Sequence, residues 1–193
     1  MRWLAVGVLL TVGGCTRHTN TSTMIENARA EDEPERAGWG VHFVVSEVPE
    51  QGEESRRRLE LMADVMVEYQ DEDSTYMLLY SHPDSLQRRV TAYLYDALGD
   101  SSATLTADRV FYYERERRFE ARNNVIVLTQ DGKRLESEHL IWVEEERQVR
   151  TPGFVRVVTP TEQLQGYGLI ADENLETYQI SRPTIQATLE GEE

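Results

Sequence analysis

Cysteine is almost missing from these 193 residues: Cys15 stands alone, which excludes an internal disulfide and a cysteine-built metal cage. Basic charge is scarce as well. Lys and Arg number 20 against 35 Asp and Glu, a net charge of −15. That balance excludes a surface that wraps the nucleic-acid backbone, which needs clustered cations. It also excludes electrostatic docking on an anionic membrane. An anionic ligand is therefore expected to be held through its apolar parts. The apolar stretch at residues 3–14 falls short of the ~20 residues a membrane-spanning helix needs. No long segment shows a capped 3.6-residue apolar period; only SHPDSLQRR (residues 81–89) suggests a helical turn.

Catalytic signatures are missing too. His18, His42, His82 and His139 are scattered, with no HExxH and no ligand cluster. Neither a G-x-S-x-G elbow nor a P-loop is found. DEDST (residues 71–75) spells the D-x-D-x-T of haloacid-dehalogenase phosphotransferases. That chemistry needs a buried strand delivering the first Asp, whereas Glu68 and Gln70 interrupt the strand before it. The stretch reads as a solvated turn. Carboxylates fall mostly at turns or on outward phases, which makes a glycosidase pair unexpected. No enzyme activity, cofactor or metal is expected.

What is present begins with a processing signal. Met1 and Arg2 precede the apolar WLAVGVLL (residues 3–10), and VGGC (residues 12–15) puts small residues before the cysteine. This fits a secretory h-region and resembles a bacterial lipobox, which implies cleavage before Cys15 and acylation of its thiol. The expected organisation is a signal peptide (1–14), a lipidated Cys15 with a polar, acidic tether (15–38), a β-domain (39–185) and an acidic tail (186–193). The tether has too few apolar residues to fold. Thr16 follows the cysteine rather than the aspartate that resembles an enterobacterial inner-membrane retention signal. The destination membrane stays open on that ground; a periplasmic, membrane-anchored protein is expected, at the inner membrane rather than the outer.

The body is strand-rich. In LELMADVMVEY, period two places Leu59, Leu61, Ala63, Val65, Val67 and Tyr69 on one face. Three segments then echo one another. Leu105, Leu135 and Leu164 are each followed two residues on by a small residue: Ala107, Ser137, Gly166. A two-residue break comes next (Asp108-Arg109, Glu138-His139, Tyr167-Gly168), then Val110, Leu140, Leu169, then Tyr112, Trp142, Ala171. After a polar turn the return strands carry Phe119 and Ala121, Val149 and Thr151, Tyr178 and Ile180. They break again at Asn123-Asn124, Pro152-Gly153 and Arg182-Pro183, and the first two resume as Val125 and Val127, Val155 and Val157. LMAD at residues 61–64 is a fainter copy of LTAD at residues 105–108. Asp131-Gly132 predicts a tight antiparallel hairpin between repeats, which disfavours a parallel β-helix. A strand broken at its middle can bend from one sheet into a facing one. The pattern predicts two antiparallel sheets meeting along a bend, apolar within and Glu, Arg and Gln outside. Whether the interior is a sealed core or an accessible trough stays open at this point.

LESEHLIW, TPGFVRVV, GYGLIADENLETYQI and LTADRVFYY…ARNNVIVLTQDG, in that order and spacing, resemble the LptC/OstA family of lipopolysaccharide-export proteins, over about residues 59–180. The resemblance implies an all-β, antiparallel folded-sheet jellyroll with a hydrophobic groove for lipid A acyl chains. Its lining would comprise Leu105, Ala107, Val110, Tyr112, Phe119, Ala121, Val125, Val127, Leu135, Leu140, Trp142, Val149, Val155, Val157, Leu164 and Leu169, with Gly153, Gly166 and Gly168 at the bends. It further implies partners: an inner-membrane ABC transporter that delivers lipopolysaccharide, and a periplasmic OstA-like bridge protein joined edge to edge. A structural lipoprotein that uses its sheet edges without lipid cargo is the alternative reading, and a polysaccharide-active β-repeat enzyme a more distant one.

Overall fold

The computed structural model describes residues 34–47, 55–70, 75–82, 89–96 and 98–188. Cys15, the signal segment, residues 15–33 of the tether, most of DEDST, residues 83–88 of the suggested helical turn and residues 189–193 of the tail lie outside them. The described residues form eleven strands and no helix: β1 (Arg36–Glu47), β2 (Arg56–Gln70), β3 (Thr75–Tyr80), β4 (Val90–Tyr95), β5 (Ser101–Ala107), β6 (Arg109–Tyr113), β7 (Arg118–Thr129), β8 (Arg134–Val143), β9 (Gln148–Val158), β10 (Glu162–Asp172) and β11 (Tyr178–Thr188). Every pairing is antiparallel. β1 starts three residues before Trp39, and β11 runs on to Thr188.

The pairings resolve into two leaves. In leaf 1, the second half of β2 pairs with β3, β3 with β6, and β6 with the first half of β7. In leaf 2, the first half of β2 pairs with β4, β4 with β5, and β5 with the second half of β7. β1, β2 and β7 to β11 run through both leaves. One bend line therefore crosses the whole molecule, from Gly40 and Asp64 to Arg182, and the hairpin turns lie at the opposite tips.

The register of the ladder shifts at that line: between Arg122 and Val125, Ser137 and Ile141, Tyr167 and Leu169. Side chains satisfy backbone groups that the ladder leaves there. Ser137 Oγ donates to the Phe154 carbonyl at 2.8 Å, Gly153 N–H donates to Thr151 Oγ1 at 3.0 Å, and Asn124 N–H donates to Glu138 Oε2 at 3.3 Å. Asn123 and Asn124 adopt φ of 63° and 52°, a region that asparagine tolerates better than most residues. The third return strand also resumes after its break: Gly166 pairs with Pro183 and Gln165 with Ile185. Pro183 does not stop the pairing.

The three bend glycines are not equivalent. A Cβ on Gly166 would stand 2.2 Å from the Arg182 carbonyl oxygen and 2.7 Å from Pro183 Cα. Gly168 has a φ of +77°. Gly153 needs neither property, since its added Cβ would make ordinary contact with Thr151 Oγ1 at 3.4 Å. Gly166→Ala should therefore lose about 1–3 kcal/mol, the usual cost of overpacking, while Gly153→Ala should stay within about 0.5 kcal/mol of the parent. Urea unfolding midpoints of the two variants would check this.

Between the leaves lies one apolar cluster that includes Leu61, Leu79, Leu135, Val155, Val157 and Leu169. A fully buried side chain of that kind contributes about 1.5–3 kcal/mol. The sequence pattern misplaces one stretch. Leu59, Leu61 and Ala63 join this cluster, but past the bend at Asp64 the inward residue is Met66. Val67 pairs with Leu78, Leu78 with Phe111, and Phe111 with Glu120, a row on the reverse face of leaf 1. Val65, Val67, Tyr69, Leu78 and Phe111 are all buried there outside the inter-leaf cluster. The outer face is therefore not uniformly Glu, Arg and Gln. It holds a second apolar group, with the Arg122 guanidinium 4.6 Å above the Phe111 ring and that of Arg118 4.0 Å above Tyr113.

Candidate functional site: the space between the leaves

Each residue assigned to the lining faces the inter-leaf space. Leu105, Val127, Leu135, Val157 and Leu164 form one transverse row of leaf 2. Val125, Val155 and Gly166 stand in the next row, with Ser137. On leaf 1, Tyr112, Phe119, Trp142 and Val149 form a row, and Val110, Ala121 and Leu140 another. Ala107 and Leu169 are buried in the same cluster, whereas Leu105, Tyr112 and Leu164 are only half-buried against it. Val41, Phe43, Val45, Leu59, Leu61, Ala92 and Leu94 complete the wall. Sequence reasoning left this end unassigned because β1 carries only a loose alternation.

Much of the space is filled. A cavity of about 40 Å³ remains, lined by Leu59, Leu94, Leu105, Phe119, Leu140 and Trp142 among others. That admits on the order of three water-sized groups. The plug is aromatic. Phe43 of leaf 2 packs on Tyr112 at 5.3 Å between ring centroids, Tyr112 stacks on Phe119 at 4.4 Å, and Phe119 meets Trp142 at 5.4 Å. The Trp142 indole N–H is buried without an acceptor, although buried donors are ordinarily paired.

Ion pairs join the leaves where their tips meet. Arg58, 6% exposed on β2, pairs with Glu173 in the β10–β11 turn. Glu47, at the end of β1, lies 3.8 Å from Arg58 and 3.4 Å from Arg147 in the β8–β9 turn. Arg117 pairs with Glu144 beside them. A polar recess of about 500 Å³ opens among Ser46, Glu47, Arg58, Arg117, Glu144, Glu145 and Arg147.

Glu120 is a buried carboxylate, 5% exposed, on the reverse face of leaf 1. Arg118 and Arg122 both bind it, and His139 Nε2 lies 3.3 Å from its Oε2. Facing away from the inter-leaf space, it takes no part in the cavity there. Burial, with Arg122 and Arg118 beside it, holds the His139 imidazole below its ordinary range. The folded state thus favours the neutral ring, while the unfolded chain takes up its proton below about pH 6.5. Stability from this group is present above that pH and is lost as pH falls through the lower folded value. His139→Gln should flatten that part of the decline between about pH 7 and 5, read as urea midpoints against the parent.

Among the described residues no group of His, Cys, Asp and Glu could hold a metal ion, and no helix is long and apolar enough to cross a membrane. Compared with known protein families and with curated proteins, the chain matches none.

Proposed function

We propose that this protein is a non-enzymatic carrier in lipopolysaccharide export, which takes acyl chains between its leaves when the leaves part. One observation carries the reading: an apolar interior runs across both leaves from β1 to β11, bounded at the tips by ion pairs rather than by a continuous hydrogen-bonded ladder. The half-exposed Glu47–Arg147 pair is weakly stabilising, which leaves the buried Arg58–Glu173 pair as the main contact that must open for the tips to part. Acyl chains gain roughly 0.8 kcal/mol for each CH₂ they bury, enough to replace the aromatic plug without cationic help along the trough. In this reading Cys15 anchors the chain outside the cytoplasm. The first and last strands, β1 and β11, offer edges to an inner-membrane transporter and to a periplasmic bridge protein.

The second reading, a tethered scaffold with no cargo, draws on the small size of the cavity. Photocrosslinkers at Phe119, Val127, Leu140 and Trp142 separate the two in cells. Adducts with lipopolysaccharide are expected. Adducts confined to the protein itself would favour the scaffold.

A further inference from the structure

We propose that the recess at the leaf tips is a headgroup site, in which Arg58 and Arg147 receive a phosphate-class anion of the lipid whose chains enter between the leaves. The proposal rests on the carrier reading and adds a polar contact to it. Arg58 carries the argument. Its side chain is 6% exposed, and it lines the recess of about 500 Å³. Its Nη2 serves Glu173 and its Nε faces Glu47, but Nη1 is buried with no partner. A buried guanidinium N–H left unpaired is costly, and a planar fork with one free arm fits a tetrahedral oxyanion.

The chain supplies its own stand-in. The Glu47 carboxylate, half-exposed, lies between Arg58 and Arg147, where an incoming phosphate would lie. Displacing it frees the tip of β1 from the β8–β9 turn, while the anion itself takes over the bridge between Arg58 and Arg147. The position suits an amphiphile: Arg58 directly precedes Leu59, which lines the apolar cavity. The same is true across the mouth, where Glu144 stands two residues from Trp142, which also lines that cavity. The recess itself holds Arg58, Arg117 and Arg147 against Glu47, Glu144 and Glu145, so an anion enters by displacing Glu47 from the two arginines it bridges, at a range shorter than the Debye length.

Calorimetric titration of the full chain with three probes, below their micellar concentrations, tests the idea: dodecyl phosphate, dodecyl maltoside and inorganic phosphate. Dodecyl phosphate is expected to bind about tenfold more tightly than the maltoside, the value of one charge-assisted hydrogen bond. Arg58→Met combined with Glu173→Gln, which leaves no buried partner stranded, should erase that preference and keep maltoside binding. Glu47→Gln, which removes the competing carboxylate and leaves the core untouched, should strengthen phosphate binding several-fold. Equal binding of the two amphiphiles by the parent, or a preference that survives the double variant, overturns the headgroup site alone. Inorganic phosphate binding as tightly as dodecyl phosphate overturns its assignment to a lipid. Binding of neither amphiphile sinks the carrier reading and this proposal with it.

Discussion

Phe119→Ala is expected to lose about 3–5 kcal/mol of folding stability, as buried Phe-to-Ala changes do, and yet to take up dodecyl maltoside more readily than the parent. Phe119 is 6% exposed and touches Tyr112, Trp142 and Phe43, the last at 6.2 Å. Its removal joins new space to the existing 40 Å³ cavity and spares an entering chain the work of turning the central ring aside. Urea unfolding gives the first quantity and calorimetric titration the second. A folded variant with weaker uptake would mean that the ring is part of the binding wall rather than its plug.

Arg58→Met alone should be among the most damaging single changes at the tips, at about 3–5 kcal/mol, because removing one partner of a buried pair strands the other charge. Glu173 is 13% exposed on its side chain, and among the described residues Arg58 is the cation paired with it. Adding Glu173→Gln should restore most of the loss, since replacing both members of a buried pair is often near neutral. The coupling energy from the four-protein cycle isolates what the inter-leaf pair contributes. Additive losses would show that the two residues act separately and that the tips are joined by something other than this contact.

Much of the architecture was legible in the sequence because the repeat is physical rather than compositional. Small residue, two-residue break and apolar restart at residues 107–110, 137–140 and 166–169 correspond to the register shifts in β8 and β10 and to the β5–β6 break. The Asp131-Gly132 hairpin forms with Gly132 at φ 86°. β2 was harder. Its unbroken alternation from Leu59 to Tyr69 hides the bend at Asp64, although LMAD repeats LTAD and marks that bend. A continuous period-two run does not reveal that the strand has changed which side it buries. The contacts at the tips were not legible at all. Arg58 and Glu173 are 115 residues apart, and each reads as an ordinary surface charge until the fold brings the two turns together.

The bends come in two sizes. Inward residues are four apart across the bend in β7 and β9 (Ala121 to Val125, Thr151 to Val155) but three apart in β8 and β10 (Ser137 to Leu140, Gly166 to Leu169). Because side chains alternate every residue along a strand, parity at these corners decides which half of the strand is oily inside. A related chain could lengthen or shorten a corner by two residues and keep its lining. Losing one residue from a four-residue corner would keep the lining only by adopting the three-residue geometry of β8 and β10. With the old geometry it would turn half a strand inside out, presenting charge to the trough and leucine to water.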